Sequence, residues 1–219
     1  MHIPAAILAV VAALPASADA ATRTWTLPAF QSVQVYGGND VEVQAGPGWR
    51  VVAEGDEDDL GSVRVSVAGG RLMLVGGSDL KLTVVAPEVT RVSTAGSGTI
   101  SWRDARGPNL ELSVAGSGGV RLGTVTAQAL SVSVAGSGEV KANGGQCDHI
   151  AVSVAGSGEA RLERIATHSV AVQVMGSGAV AARADGNAAV RAVGSSAVRI
   201  YGRPRCTISK AGSAQVYCE

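Results

Sequence analysis

The chain has 219 residues, of which 46 % are hydrophobic but only 3 % aromatic and 16 % charged, and it carries 29 glycines. Its apolar mass is therefore Val, Ala, Leu and Ile, which excludes disorder and argues against a pocket that stacks rings on a ligand. Eighteen Lys and Arg balance eighteen Asp and Glu, which excludes a polycationic nucleic-acid binder.

The chain opens on a twelve-residue apolar run, Ile3 to Leu14, too short to cross a bilayer at ~1.5 Å per residue. Two small-x-small frames follow, Ala16-Ser17-Ala18 and Ala18-Asp19-Ala20. This is the pattern of a secretory signal peptide over residues 1–20, cut after Ala20; a buried first strand is the alternative. No later run reaches the ~18 apolar residues of a membrane span. The expected mature product is one domain, residues 21–219, with no membrane span.

Further along, Glu54-Gly55-Asp56-Glu57-Asp58-Asp59 offers oxygens to Ca²⁺ but lacks the spaced ligands of an EF-hand loop, so it reads as a solvated acidic turn. The dominant feature begins at Gly96. Gly-Ser-Gly recurs every twenty residues at Gly96, Gly116, Gly136, Gly156 and Gly176. It degenerates to Gly194-Ser195-Ser196 and Gly212-Ser213-Ala214 at eighteen-residue steps, and Gly37-Gly38-Asn39 and Gly76-Gly77-Ser78 are upstream copies. Apolar residues sit four and two before each first glycine, as in Val132/Val134 and Val152/Val154, and four and six after it, as in Val120/Leu122. Period-two alternation on both flanks predicts strand, glycine turn, strand and return loop in every repeat. One unit has too few inward aliphatics to bury them alone, whereas stacked units share them, each strand pairing with its equivalent one coil away. The expected fold is all-β: a right-handed parallel β-solenoid of about ten coils of ~20 residues. Val114, Val134, Val154 and Val174 should form one inward column.

The repeated serines do not form a Gly-x-Ser-x-Gly nucleophile elbow or a phosphate-binding loop, and they read as a ladder of hydroxyls bonding between coils. Cys147, Asp148 and His149 lie in one return loop, with His168 one coil along. These four are weak candidates for a transition-metal site, against a reading as variable surface loops. Arg121, Lys141, Arg161 and Arg199 share one outward position and form a basic stripe, broken by Ala181 and flanked by Glu139 and Glu159. The stripe is a candidate polyanion groove or an ordinary solvated face. Near the C-terminus, Cys206 falls in the inward column of Leu110, Leu130, Ile150 and Val170, and Cys218 in that of Trp102, Leu122 and Leu162. The two face each other in the last coil, which predicts a Cys206–Cys218 disulfide closing the open end, with Cys147 as the odd thiol; two reduced core cysteines are the alternative.

From about Thr24 to the C-terminus the chain resembles the head GIN domain family of autotransporter adhesins. The resemblance rests on Leu27-Pro28-Ala29-Phe30-Gln31-Ser32-Val33, the glycine turn before Val41-Glu42-Val43, Val85-Ala86-Pro87-Glu88-Val89 and the Ala-Gly-Ser-Gly turns. It implies a secreted or surface β-solenoid, with adhesion suggested by the family name; the expected role is adhesion or the binding of a cell-envelope protein or glycan, in the periplasm or at the surface of a bacterium. The chain is more distantly similar to the toastrack solenoids of envelope-stress sensors, which supplies the alternative of a ligand-sensing regulatory domain. A polysaccharide-acting enzyme on a β-helix is the third class. It needs clustered carboxylates on a concave face, and the outward repeat positions are mostly Ser, Ala, Thr and Gln. The expectation is therefore a non-catalytic protein with no cofactor.

Overall fold

The computed structural model describes residues 21–77 and 80–219; the expected signal peptide, residues 1–20, lies outside the described residues. The first part of the chain comprises β1 (Ala21–Thr26), β2 (Ser32–Gly37), β3 (Asp40–Ala45), β4 (Arg50–Gly55), helix α1 (Glu57–Ser62), β5 (Arg64–Ala68), β6 (Arg71–Val75) and β7 (Lys81–Ala86). The repeats supply β8 (Arg91–Gly96), β9 (Thr99–Gly116), β10 (Gly119–Gly136), β11 (Glu139–Gly156), β12 (Glu159–Arg161), β13 (Ile165–Gly176) and β14 (Ala179–Arg183). The last coils are β15 (Asn187–Gly194), β16 (Ala197–Tyr201), β17 (Arg205–Gly212) and β18 (Gln215–Cys218).

From Arg91 onward the fold is a parallel β-solenoid whose register follows the twenty-residue period. Val134 pairs with Val114 on one side and Val154 on the other, and Val154 pairs with Val174. All four are buried. The two eighteen-residue steps keep the column in line: Val174 meets Ala192, which meets Lys210. Each fully buried aliphatic of this kind contributes about 1.5–3 kcal/mol. Pairs of consecutive outward residues, as at Arg103–Asp104 and Pro108–Asn109, interrupt the alternation and mark the corners of the coil.

The glycine turn forms a third corner. Gly136 has φ +112°, and a Cβ there would lie 2.5 Å from the carbonyl oxygen of Gly116. Both the left-handed conformation and the close approach of coils require glycine. The predicted ladder of serine hydroxyls is instead a main-chain ladder. Ser117 N–H donates to Gly96 C=O at 3.0 Å, and Ser137 N–H to Gly116 C=O at 2.9 Å, while the side chains of Ser117, Ser137, Ser157 and Ser177 are exposed. Stacking brings the amide of each turn over the carbonyl of the turn before it, leaving the hydroxyl no neighbour to reach.

The N-terminal part departs from the simple stack. The upstream glycine turns are true copies, since Val35 pairs with Leu74 and Val41 with Leu82. Their order in space differs from their order in the chain: β2 lies between β6 and β8, and β3 between β7 and β9. β1 pairs antiparallel with β4, β4 with β7, and β5 with β6, so parallel pairing does not begin at Thr24. The solenoid has about six turns rather than ten, because β1, β4 and β5 pair antiparallel instead of completing coils of their own. These antiparallel strands close one end of the stack. Leu60 of α1 is buried there, and the indole N–H of Trp49 donates to the carbonyl of Phe30 at 3.2 Å. The acidic turn is the start of α1, with Glu57, Asp58 and Asp59 in its first turn, where carboxylates complement the amide ends.

Candidate functional site

A hollow of about 1080 Å³ runs along the solenoid beside the Pro108–Asn109 corner, and a second of about 640 Å³ adjoins it on the same outward face. The two share the outward column Ser131, Ala151, Ala171, Ala189 and Thr207, one residue per coil. Together they form a trough. One wall carries Asn109, His149, Ser169, Asn187 and Arg205, the other Ser133, Ser153, Gln173 and Arg191. Its floor is methyl and hydroxymethyl groups because the repeat places Ala or Ser there. With Glu111 as the first member of the floor column, the trough passes six coils, or about 24 Å at ~4.8 Å per step. Glu111 is held by Arg91, Nη2 to Oε2 at 2.6 Å, at one end. At the centre His149 Nδ1 lies 2.6 Å from Ser169 Oγ.

The four candidate metal ligands are not brought together, because they straddle a corner where consecutive side chains diverge. Cys147 points inward and is buried, its thiol donating to the carbonyls of His149 at 3.1 Å and Gln128 at 3.5 Å. Burial pushes this thiol above its ordinary pKa, reinforced by the Asp148 carboxylate. His149 faces the trough. Asp148 and His168 line a different hollow of about 690 Å³ on the far side of the corner, where His168 Nδ1 lies 3.2 Å from Asp185 Oδ1. Among the described residues no three His, Cys, Asp or Glu side chains converge as a metal site.

The basic stripe exists as a column: Arg121 pairs with Lys141, Lys141 with Arg161, Arg161 with Ala181 and Ala181 with Arg199. Its charge is partly spent internally. Arg161 forks onto Glu159 at 2.6 and 2.8 Å and reaches Glu139 at 3.6 Å, and Arg199 stacks over the Tyr217 ring at 5.7 Å. Glu42 is likewise taken by Arg103. Such exposed pairs contribute little stability, but they leave only Arg121 and Lys141 of the stripe without a charged or ring partner among the described residues.

Cys206 and Cys218 form the expected disulfide, with Cα atoms 6.7 Å apart, and Cys147 is free. Cys206 lies in register with Ala188 and Cys218 with Ile200. The trough itself was missed in the sequence. Its signal is the run Ser131, Ala151, Ala171 and Ala189, five before the turn glycines Gly136, Gly156, Gly176 and Gly194, legible only once the corner beside it is known.

These features define a repeat scaffold: stacked coils of parallel strands with an elongated hollow along one face. The chain belongs to the family described as "putative auto-transporter adhesin, head GIN domain", whose pattern matches residues 29–204. Among solved structures it is similar to a "putative adhesin" from Bacteroides fragilis (21 % identity, TM-score 0.82, covering 93 % of this chain and 98 % of that one). It is also similar to a "putative lipid binding protein" from Parabacteroides distasonis (22 %, 0.75, 92 % and 97 %) and a "putative adhesin" from Parabacteroides merdae (16 %, 0.70, 92 % and 96 %). At these identities the likeness establishes the fold. A search of curated protein sequences finds no significant match.

Proposed function

We propose that this chain is an exported, non-catalytic, adhesin-like module that binds a component of the bacterial envelope or surface through its long trough. The observation that carries this reading is the trough itself: six coils long, open from Ser131 to Thr207, and walled mainly by small and neutral polar side chains, with Arg191 and Arg205 towards one end. Such a surface suits adhesion spread over many weak contacts better than chemistry at one point. Its one carboxylate from the repeat, Glu111, is already paired with Arg91, which favours binding over acid–base catalysis. Export is supported by the apolar run and cleavage frames before Ala21, and by a disulfide, which persists in oxidising compartments. Among the described residues no helix is long and apolar enough to cross a membrane. The family name agrees with adhesion.

The test applies labelled protein, residues 21–219, to washed bacterial envelopes. Saturable binding that unlabelled protein competes away supports the reading, and purely linear uptake would sink it. Turnover of any envelope polysaccharide, lost on changing one trough residue, would move the protein to the enzyme class.

A further inference from the structure

We infer that the trough accommodates a linear, uncharged polysaccharide, laid along the solenoid axis with about one sugar unit per coil. This rests on the adhesin-like reading above and specifies its ligand. Three observations carry it. First, no outward side chain blocks the floor from Ser131 to Thr207, since its middle members are Ala151, Ala171 and Ala189. An open channel of five coils, about 19 Å long at ~4.8 Å per coil, suits an extended polymer, not a compact molecule.

Second, hydrogen-bonding groups recur along both walls, with Ala129 as a gap on the first and Ser133 opposite it on the second. Asn109, His149, Ser169 and Asn187 stand on one wall, and Ser153 and Gln173 on the other. A ligand whose own repeat is close to the coil spacing can make the same contact on each coil, and a pyranose unit in an extended chain is about that long. An extended peptide advances ~3.3 Å per residue and falls out of step. An acyl chain would cover the amides of Asn109, Gln173 and Asn187 without offering them a hydrogen-bond partner.

Third, the charge is wrong for a polyanion. The coils of Ser131, Ala151 and Ala171 carry no Asp, Glu, Lys or Arg in the trough, Glu111 is paired with Arg91, and the remaining cations, Arg191 and Arg205, stand in the last two coils. With no aromatic platform in the trough, affinity has to accumulate along the chain, one coil at a time.

The test is calorimetric titration with oligosaccharides of two to eight units, taken from β-1,4-linked glucose, mannose, xylose and N-acetylglucosamine. For at least one series, affinity should rise with each unit to about five and then level off. Ala171→Trp fills the floor at an exposed position, so the circular dichroism should stay native, and binding of the six-unit oligosaccharide should weaken about tenfold or more. Ala181→Trp, on another face, should leave it unchanged. Length-independent binding, no binding by any neutral series, or native affinity in Ala171→Trp overturns the inference. So does preferential binding of polygalacturonate that Arg121→Ala abolishes, which would assign recognition to the basic stripe. Envelope binding separates this inference from the reading beneath it. Undiminished binding by Ala171→Trp removes the trough and leaves the adhesin-like module, whereas no saturable binding by the native protein removes the module itself.

Discussion

Thr94 sits in an inward column between Val35 and Val114 and is fully buried, with its hydroxyl unpaired. An unmade buried hydrogen bond costs about 1–3 kcal/mol, so this residue is a local defect in an otherwise aliphatic stack. Thr94→Val keeps the shape and removes the orphan, and it should raise Tm by about 2–4 °C per kcal/mol recovered in a chain of this size. An unchanged or lower Tm in differential scanning calorimetry would show that the hydroxyl has a partner. The same scale decides the chemistry of Cys147. Burial raises its pKa, which keeps it a thiol through neutral pH, and the thiolate is the reactive form. At pH 8 iodoacetamide should leave it unmodified in the native protein and alkylate it in guanidinium, as read by mass spectrometry. Rapid alkylation of the folded protein would contradict the inward placement.

At the scale of the element, the last coil is the weak one. Ile208 is an inward-column residue, paired with Val190, yet it is 43 % exposed, and Lys210 takes the place of the column's Val and Ala. Burial there is too poor to hold β17 and β18, and the disulfide supplies the missing constraint. Closing a loop with a sequence separation of 12 is worth about 3 kcal/mol in the chain-entropy model. In Cys206→Ser, hydrogen exchange should therefore accelerate in β17 and β18 while the amides of β10 and β11 keep their protection. Equal loss of protection in every coil would mean that the disulfide supports the whole solenoid and not its end. The opposite end needs no such clamp, because the antiparallel pairs β1–β4, β4–β7 and β5–β6 close it.

For the whole molecule, near-identical coils imply that one can be removed. Deleting residues 131–150 joins Leu130 to Ala151, so every inward column closes up with the register intact. The product should fold cooperatively at a lower Tm, with the oligosaccharide length of maximal affinity reduced by about one unit. Deleting residues 131–140 removes a turn and half a coil, and it should yield insoluble protein. A folded product from the shorter deletion would refute a register set by the period. The sequence by itself determined the repeat, the inward columns and the pairing of Cys206 with Cys218. A fixed period translates covalent spacing directly into register, so residues twenty apart must meet once the strands are parallel. Tertiary structure decided the rest. Before Gly96 no constant period links the copies, so neither the insertion of β2 and β3 between later strands nor the antiparallel cap could be read from spacing. The corner beside Asn109 is likewise invisible in the alternation of single strands, and it sends Cys147, Asp148 and His149 in diverging directions. It leaves the small residues from Ser131 to Ala189 as the floor of a trough, because concavity depends on the angle between adjoining faces of the coil and not on which side chains point outward.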